Sequence, residues 1–294
     1  MRNSCLALVL VALAPMTVGA QVPSPLGEAL ARRIARDSAT IGLIFRDLQT
    51  GESLSVNPDL RFHAASTMKI PVLIELTRRI DAGEGDWTDS MVVSNHFHSI
   101  VDGSEYPLNL ADDSDSSLYA MEGKSLPIET LARLMIPRSS NLATNLIIGR
   151  VDARRVNATA HQLGADSIQV RRGVEDQKAF DRGLNNTTTA RDLGTLLAAI
   201  ASGGAASAKG TRMMLDLLLA QEFNDGIPAG LPAGTRVAHK TGELTGISQD
   251  AAGTYPPGRE PDVQGRRAQG QASRTAARRT RAGGRDKPSR AWGG

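Results

Sequence analysis

A proline inside an apolar run fixes the start of one helix in this chain. Between positions 70 and 80 the large apolar residues recur at intervals of three and four, which is helical spacing with one buried face. Proline is tolerated only in the first turn of a helix, so Pro71 places the helix start just before it. Ser66 then lies at the helix mouth, and Lys69 follows one turn later on the same face.

This serine and lysine suit acyl-transfer chemistry. Lys69 lies where the helix dipole disfavours a positive charge, so helix stability does not explain it. A serine hydroxyl is a weak nucleophile at neutral pH, and a desolvated lysine amine can serve as its base. Backbone N–H groups near Ser66 can stabilise an oxyanion. The same tetrapeptide also fits a serine N-cap followed by a solvated lysine, so residues farther along the chain must decide.

The composition is that of a folded protein with an export signal. The chain has 294 residues, of which 40% are hydrophobic, enough for one large domain or two lobes. Residues 1–20 combine a basic residue, an apolar stretch and small residues before Gln21, the pattern of a secretory signal peptide cleaved near Ala20. Cys5, the one cysteine, lies in this signal, which excludes disulfides and cysteine-based metal sites from the mature chain. We therefore predict a secreted or periplasmic protein with no membrane span.

The spacing of apolar and turn-forming residues predicts an α+β protein. Helices are expected over about 25–37, from Ser66 onward, and over 128–135, 141–151, 189–200 and 211–220. Strands are expected over 41–48, 53–56, 91–93, 237–239 and 251–255. Because strands lie near both ends of the chain around a mostly helical middle, we expect both ends to contribute to one sheet.

Two later motifs accompany Ser66. Ser139-Ser140-Asn141 lies on a loop between two predicted helices, where its side chains can point into a cleft. This pattern is weak alone, since Ser55-Val56-Asn57 matches it by chance on a predicted strand. Lys240-Thr241-Gly242 ends a predicted strand, and Gly242 permits close approach of a ligand to the backbone. A fixed tripeptide of this kind occurs by chance only about once per few thousand residues.

These three elements, in this order, resemble the motif set of the serine β-lactamases and penicillin-binding proteins. The resemblance spans about residues 25–255, and the Thr187-Thr188-Thr189 run before a helix is most similar to class A β-lactamases. It implies an antiparallel sheet flanked by N- and C-terminal helices, plus an all-helical lobe. The sheet lobe would comprise 21–62 and 207–255, and the helical lobe 63–206.

The resemblance implies a serine β-lactamase that opens a β-lactam substrate through an acyl-enzyme, without a cofactor or a metal. Ser66 would be the acylated nucleophile and Lys69 its proton acceptor. Ser139 would pass the proton to the leaving lactam nitrogen. We expect a monomer that binds no nucleic acid.

The resemblance also assigns the groups that hold the substrate. Asn141 would bind its side-chain amide, and Lys240 with Thr241 would hold its carboxylate. The backbone N–H groups of Ser66 and Glu243 would form the oxyanion hole.

Hydrolysis of the acyl-enzyme needs a carboxylate that activates water. The resembling enzymes carry a glutamate for this on a loop before the threonine-rich helix start, and Glu175 is the candidate here, with Asp176 as the alternative. Two departures stand out. The family's glutamate is followed closely by Leu-Asn, whereas Leu184-Asn185 comes much later here, and Ser140 stands where the commonest pattern has Asp.

Other readings stay open. A penicillin-binding or sensor-like module would be acylated without turnover, and a D-alanyl carboxypeptidase would act on a peptide. His96 and His98 form an H-x-H pair, but they lack a third ligand in a fitting place, so we predict no zinc site. His63 is interpreted as structural, and His239 as a strand residue that shapes the cleft beside Lys240.

The C-terminal tail departs from the family. Residues 256–294 carry ten basic and three acidic residues, and beyond Pro257 their only large apolar residues are Val263 and Trp292. Such a segment cannot bury an apolar face, which predicts disorder and a sheet without its last strand and C-terminal helix. One hypothesis is a frameshift near 252–263 that inactivates the protein. The competing one, a basic arm for nucleic acid or anionic lipid, is disfavoured by export.

Overall fold

The computed structural model describes residues 25–37, 39–259 and 271–277. The chain divides into two units, Met1–Asp37 and Ser38–Gly294. Of the first unit the structure describes one helix, α1 (Pro25–Ile34), which begins at a proline and ends with two basic residues in its last turn. The predicted signal peptide lies outside the described residues.

The second unit alternates strands and helices. Its strands are β1 (Thr40–Arg46), β2 (Ser53–Val56), β3 (Phe62–His63), β4 (Ser90–Val92), β5 (Phe97–His98), β6 (Glu105–Tyr106), β7 (Ser125–Pro127), β8 (Thr187–Thr188), β9 (Arg236–Leu244), β10 (Ile247–Tyr255) and β11 (Gln271–Ala277). Its helices are α2 (Lys69–Asp81), α3 (Ile128–Met135), α4 (Asn141–Val151), α5 (Ala153–Gln162), α6 (Gln177–Asp181), α7 (Ala190–Ala201) and α8 (Ala208–Leu219). Short 3-10 helices lie at Ala65–Met68, Leu110–Asp112, Ser117–Met121 and Pro228–Gly230.

One antiparallel sheet carries strands from both ends of the second unit, in the order β2-β1-β11-β10-β9. Leu43 and Ile44 of β1 are buried, as are Ala251 and Ala252 of β10. The α+β class and the antiparallel sheet are confirmed. The division into a sheet lobe and a helical lobe, with the boundaries given above, stays a prediction.

The expectation that the sheet lacks its last strand is wrong. Residues Gln271–Ala277 form β11, which pairs with β1 on one side and β10 on the other. Burial of large apolar side chains was the wrong criterion, because a central strand is also stabilised by backbone hydrogen bonds to both neighbours. The segment contains no proline or glycine that would interrupt it. The frameshift hypothesis therefore loses its physical argument for inactivity, while the other predictions for the tail lie outside the described residues.

Helix α2 lies in the core. Ile70, Val72, Leu73 and Ile74 are fully buried, and α4, α5, α7 and α8 all pack against this helix. It is buried on more than the single face that the spacing predicts, since Lys69 to Thr77 are all buried. The α-helix begins at Lys69 rather than at Ser66, because the preceding turn is a 3-10 helix.

Some of the remaining helices match the ranges predicted from the sequence, and others were not predicted. Helix α4 spans the predicted residues, and Thr189 caps α7 by accepting a hydrogen bond from the Asp192 backbone N–H. Helix α5 was missed, because its sequence is mostly polar and buries only Val156, Thr159 and Ala160. Across the described parts of the chain, none of the helices has both the length and the apolar character that crossing a bilayer requires.

Candidate active site

Ser66 lies on the tight 3-10 turn that leads from β3 into α2. Ala65 before it has φ +44°, a left-handed conformation that costs energy for a residue with a side chain. Thr67 beside it is fully buried, with its hydroxyl 2.5 Å from the Ala64 carbonyl oxygen and 2.9 Å from Gln249 Oε1 of β10. The turn is therefore fixed to the sheet, and it presents a partly exposed Ser66. Among the described residues, none hydrogen-bonds to the Ser66 hydroxyl.

His63 supports the same turn. Its Nδ1 accepts a hydrogen bond from the Ala65 backbone N–H at 3.0 Å. Burial lowers the pKa of His63 to about 4, with the Arg172 charge adding to the effect. The imidazole is therefore neutral at physiological pH, as an acceptor at Nδ1 must be.

Strand β9 runs directly against the serine turn. A Cβ atom added at Gly242 would lie 3.1 Å from the backbone nitrogens of Ser66 and Thr67, tighter than ordinary contacts. Glycine at 242 therefore allows the strand to approach these nitrogens. The next residue, Glu243, is exposed, and its carboxylate accepts a hydrogen bond from Ser248 Oγ at 2.8 Å.

Two buried lysine amines meet at the hydroxyl of Ser139. Lys69 Nζ lies 3.2 Å from Ser139 Oγ and donates to the Ser139 carbonyl at 2.6 Å. Lys240 Nζ lies 3.1 Å from the same hydroxyl and donates to the Thr241 carbonyl at 2.9 Å. Ser139 itself has φ +58°, so the loop before α4 is also strained where it reaches the lysines. Residues from the start of α2, the loop before α4 and the middle of β9 thus come together, whereas the sequence predicted Lys240 at the end of a shorter strand.

The electrostatics favour neutral amines. Burial lowers the pKa of Lys69 to about 7, although the negative charges of Asp113 and Glu175 oppose the shift. Burial also lowers the pKa of Lys240 well below its usual range, and the neighbouring Lys69 lowers it further, while Asp250 opposes the shift. Lys69 can therefore act as a base near neutral pH.

Asn141 connects Lys69 to Glu175. Its Oδ1 accepts from Lys69 Nζ at 3.0 Å, and its Nδ2 donates to Glu175 Oε1 at 3.1 Å. Glu175 Oε2 accepts from the Asn109 backbone N–H at 3.0 Å. Burial raises the pKa of Glu175, and the charges of Asp113 and Asp112 add to this, while both hydrogen bonds lower it.

Asp176 occupies a different environment from its neighbour. It caps α6 through the Ala179 N–H at 3.1 Å and accepts from Ser99 Oγ at 2.7 Å and from the Ile100 N–H at 2.9 Å. These three bonds anchor the loop, and Asp176 is 1% exposed. The geometry thus separates a carboxylate connected to Lys69 from one that holds the loop.

The Leu184-Asn185 pair contacts another part of the loop. Asn185 Oδ1 accepts from Arg172 Nη2 at 3.2 Å, and the next residue, Asn186, accepts from the backbone N–H of Arg171 at 2.8 Å. Asn145 of α4 clamps the loop just before Glu175, accepting from the Val174 N–H at 2.7 Å and donating to its carbonyl at 3.1 Å.

Asp113 is a site residue that the sequence argument missed. Its carboxylate accepts from the backbone N–H groups of Asn141 at 2.8 Å and Leu142 at 2.9 Å. It lies in an irregular region rich in Asp and Ser, in which periodicity carries no signal.

Two further histidines, His96 and His239, contact carboxylates. His96 is exposed and pairs with Glu105, with Glu122 at 3.5 Å. His239 Nδ1 lies 2.9 Å from Asp250 Oδ1, and both side chains are buried. In the part of the chain that the structure describes, no cluster of three or more His, Cys, Asp or Glu side chains has the arrangement to hold a metal ion.

The chain as a whole is similar to known β-lactamases. The model of the β-lactamase enzyme family matches residues 25–275. The β-lactamase of Streptomyces lavendulae is 25% identical over 237 residues, covering 77% of this chain and 72% of that protein. The β-lactamase of Streptomyces fradiae is 25% identical over 232 residues, covering 76% and 72%.

Solved structures show the same fold. The β-lactamase from Sphaerobacter thermophilus DSM 20745 has a TM-score of 0.70 at 29% identity, covering 86% of this chain and 89% of that one. A mutant of PBP-A, solved as an acyl-enzyme complex with penicillin G, has a TM-score of 0.69 at 27% identity, covering 86% of each chain. Because the family model matches most of its length, this chain belongs to the β-lactamase enzyme family.

Proposed function

We propose that this protein is an exported serine β-lactamase that hydrolyses the β-lactam ring through an acyl-enzyme on Ser66. The observation that carries the proposal is the side-chain bridge from Lys69 through Asn141 to Glu175, with Ser139 between two lysine amines. This arrangement offers a base on the acylation side and a carboxylate on the deacylation side of one site. Export is inferred from residues 1–20.

Acylation begins with removal of the Ser66 proton. The neutral amine of Lys69 accepts it as the serine oxygen attacks the lactam carbonyl carbon. Hydrogen bonds of this kind often form only when substrate is bound, which is consistent with a Ser66 hydroxyl that has no partner among the described residues. The C–N bond then breaks, and the lactam nitrogen takes a proton from Ser139, which regains one from the adjacent lysine.

Deacylation uses Glu175 as general base. Its carboxylate removes a proton from water, the resulting hydroxide attacks the ester carbonyl, and the Ser66 oxygen leaves with a proton returned through Lys69. Burial raises the pKa of Glu175, which makes the ionised form a stronger base than a solvated carboxylate. Asn141 holds the carboxylate beside Lys69.

The oxyanion is proposed to bind the N–H groups of Ser66 and Glu243, with the substrate carboxylate on Lys240 and Thr241. A bound carboxylate favours the charged form of Lys240, offsetting the burial that lowers its pKa in the free protein.

Gly242→Ala tests this oxyanion geometry. The added Cβ lies 3.1 Å from the Ser66 nitrogen, so the strand must move away, and acylation should slow by about tenfold or more. The matched control is Gly149→Ala in α4, where a Cβ meets nothing within 4 Å. Stopped-flow acylation by nitrocefin measures both. Equal rates for the two variants would show that the close approach of β9 is not needed.

The pH dependence of acylation tests Lys69 as base. Only the neutral amine accepts a proton, and its pKa is about 7. The rate should be level above that pH and fall about tenfold for each unit below it. The measurement is the nitrocefin burst rate from about pH 5 to about pH 9. A rate that does not change across this range contradicts the assigned role.

A penicillin-binding protein that is acylated without turnover is the second candidate. The structural likeness to PBP-A favours it, and so does the position of the Leu184-Asn185 pair. The resembling enzymes place this pair close after the glutamate, whereas here it comes much later and Asn185 accepts a hydrogen bond from Arg172.

Turnover of nitrocefin by the full-length protein separates the two candidates. A β-lactamase hydrolyses many equivalents at a steady rate, whereas a binding protein gives one stoichiometric burst and then stops. Ser66→Ala is the control, because it removes the nucleophile and should abolish both burst and turnover. A burst without a steady rate rejects the β-lactamase proposal in favour of the binding protein.

A further inference from the structure

Asp113 reaches the site from outside the three motifs. It lies in the irregular region between β6 and β7, 26 positions before Ser139 in the sequence. Its carboxylate accepts hydrogen bonds from two backbone N–H groups of α4 and from the Tyr119 hydroxyl at 3.1 Å. The Ser140 hydroxyl lies 3.5 Å from the same carboxylate.

This carboxylate completes the N-terminus of α4. The first four N–H groups of a helix have no partner within the helix. In α4, the N–H groups of Asn141 and Leu142 donate to the Asp113 carboxylate. The third N–H group donates to the Ser140 hydroxyl and the fourth to the Ser140 carbonyl, each at 3.2 Å. Two of the four partners therefore come from a separate loop.

Asp113 bears on both the position of Asn141 and the charge around Lys69. Because Asp113 fixes the backbone of Asn141, it fixes the point from which that side chain spans Lys69 and Glu175. The charged or titratable groups that act on Lys69 are Asp113 and Glu175, which are negative, and Lys240 on the opposite side of Ser139. Of the two acids, Asp113 has the larger effect on the pKa of Lys69.

We propose that Asp113 is a positioning residue for acyl transfer, which fixes the Ser139-Ser140-Asn141 segment from a separate loop and supplies a negative charge beside Lys69. This inference rests on the proposed function, because Asp113 acts through Lys69 and Asn141. Ser140 is fully buried, and its hydroxyl lies 3.5 Å from the Asp113 carboxylate. A carboxylate introduced at position 140 would therefore lie close to the place that the Asp113 carboxylate occupies.

Asp113→Asn in the full-length protein gives the first test. Acylation by nitrocefin should slow by about tenfold or more, because two charge-assisted hydrogen bonds to α4 are weakened. The acid limb of the pH profile should also move to lower pH by about one unit, because losing a negative charge favours the neutral amine of Lys69. A purely structural role would not move this limb.

Asp112→Asn is the matched control. It removes the same charge one residue earlier, and among the described residues the Asp112 side chain makes no hydrogen bond to α4. The control should keep the acid limb of the wild-type protein. An equal shift in both variants would overturn the specific role of Asp113.

The second test moves the carboxylate from position 113 to position 140. It distinguishes a lost role of Asp113 from a variant that fails to fold. Asp113→Ser alone should lose acylation, and Asp113→Ser combined with Ser140→Asp should recover most of it, with thermal melting confirming that both are folded. A folded double variant without recovery, or an unchanged acid limb in Asp113→Asn, overturns this inference alone. A wild-type protein that is never acylated overturns the proposed function, and this inference with it.

Discussion

Glu175→Gln is expected to leave the protein acylated on Ser66, with deacylation slowed by about 10²- to 10⁴-fold. Glutamine keeps an oxygen that can accept from Asn141, but it cannot remove a proton from water. Acylation should continue, because its base is Lys69. The measurement is pre-steady-state kinetics with nitrocefin in excess over the protein, in which the burst remains and the steady rate is lost.

Asp176→Asn is the matched control for that experiment. Asp176 is the adjacent carboxylate and accepts hydrogen bonds from Ser99, Ile100 and Ala179. Its loss should lower the melting temperature, because a buried cap and loop anchor is weakened. Trapping of the acyl-enzyme by Asp176→Asn, with normal turnover by Glu175→Gln, would reverse the assignment of the two acids.

A chain that ends after Arg259 is expected not to fold. This truncation removes β11, the strand between β1 and β10. The β1-β2 hairpin then loses its connection to β10, and both exposed edges lose their backbone partners. The loss should exceed the ~5 to 15 kcal/mol by which a domain is stable. The measurement is thermal unfolding followed by circular dichroism, with no cooperative transition expected.

A second truncation, after Ala277, is the control for the first. It keeps β11, so the two truncated chains differ only in residues 260–277, which include this strand. The longer chain should melt cooperatively and react with nitrocefin. If the shorter chain melts at the same temperature, β11 contributes nothing to the stability of the sheet.

The elements predicted correctly from sequence are those with strong local signals. The apolar run with Pro71 gives α2, and Thr189 gives the start of α7. The resemblance to the three-motif family also led us to expect Lys69, Ser139 and Lys240 close together, although Lys240 lies inside β9 rather than at a strand end. Each of these signals depends on residues within a few positions of one another.

The features that were missed depend on distant partners. Strand β11 has no large apolar residue, and it is held by pairing with β10 and with β1, which lies more than 200 residues earlier. Asp113 lies in a segment without periodicity, and its role follows only from its contact with the start of α4. Asp176 could not be distinguished from Glu175 by sequence, because their difference lies in what surrounds each carboxylate.

Every step of the proposed reaction requires that Ser66 becomes acylated, which mass spectrometry of the full-length protein after rapid mixing with penicillin G measures. We expect one adduct per protein, carried on the peptide that contains Ser66, which disappears as the acyl-enzyme is hydrolysed. An absent adduct, or one carried on a different residue, would show that Ser66 is not the nucleophile.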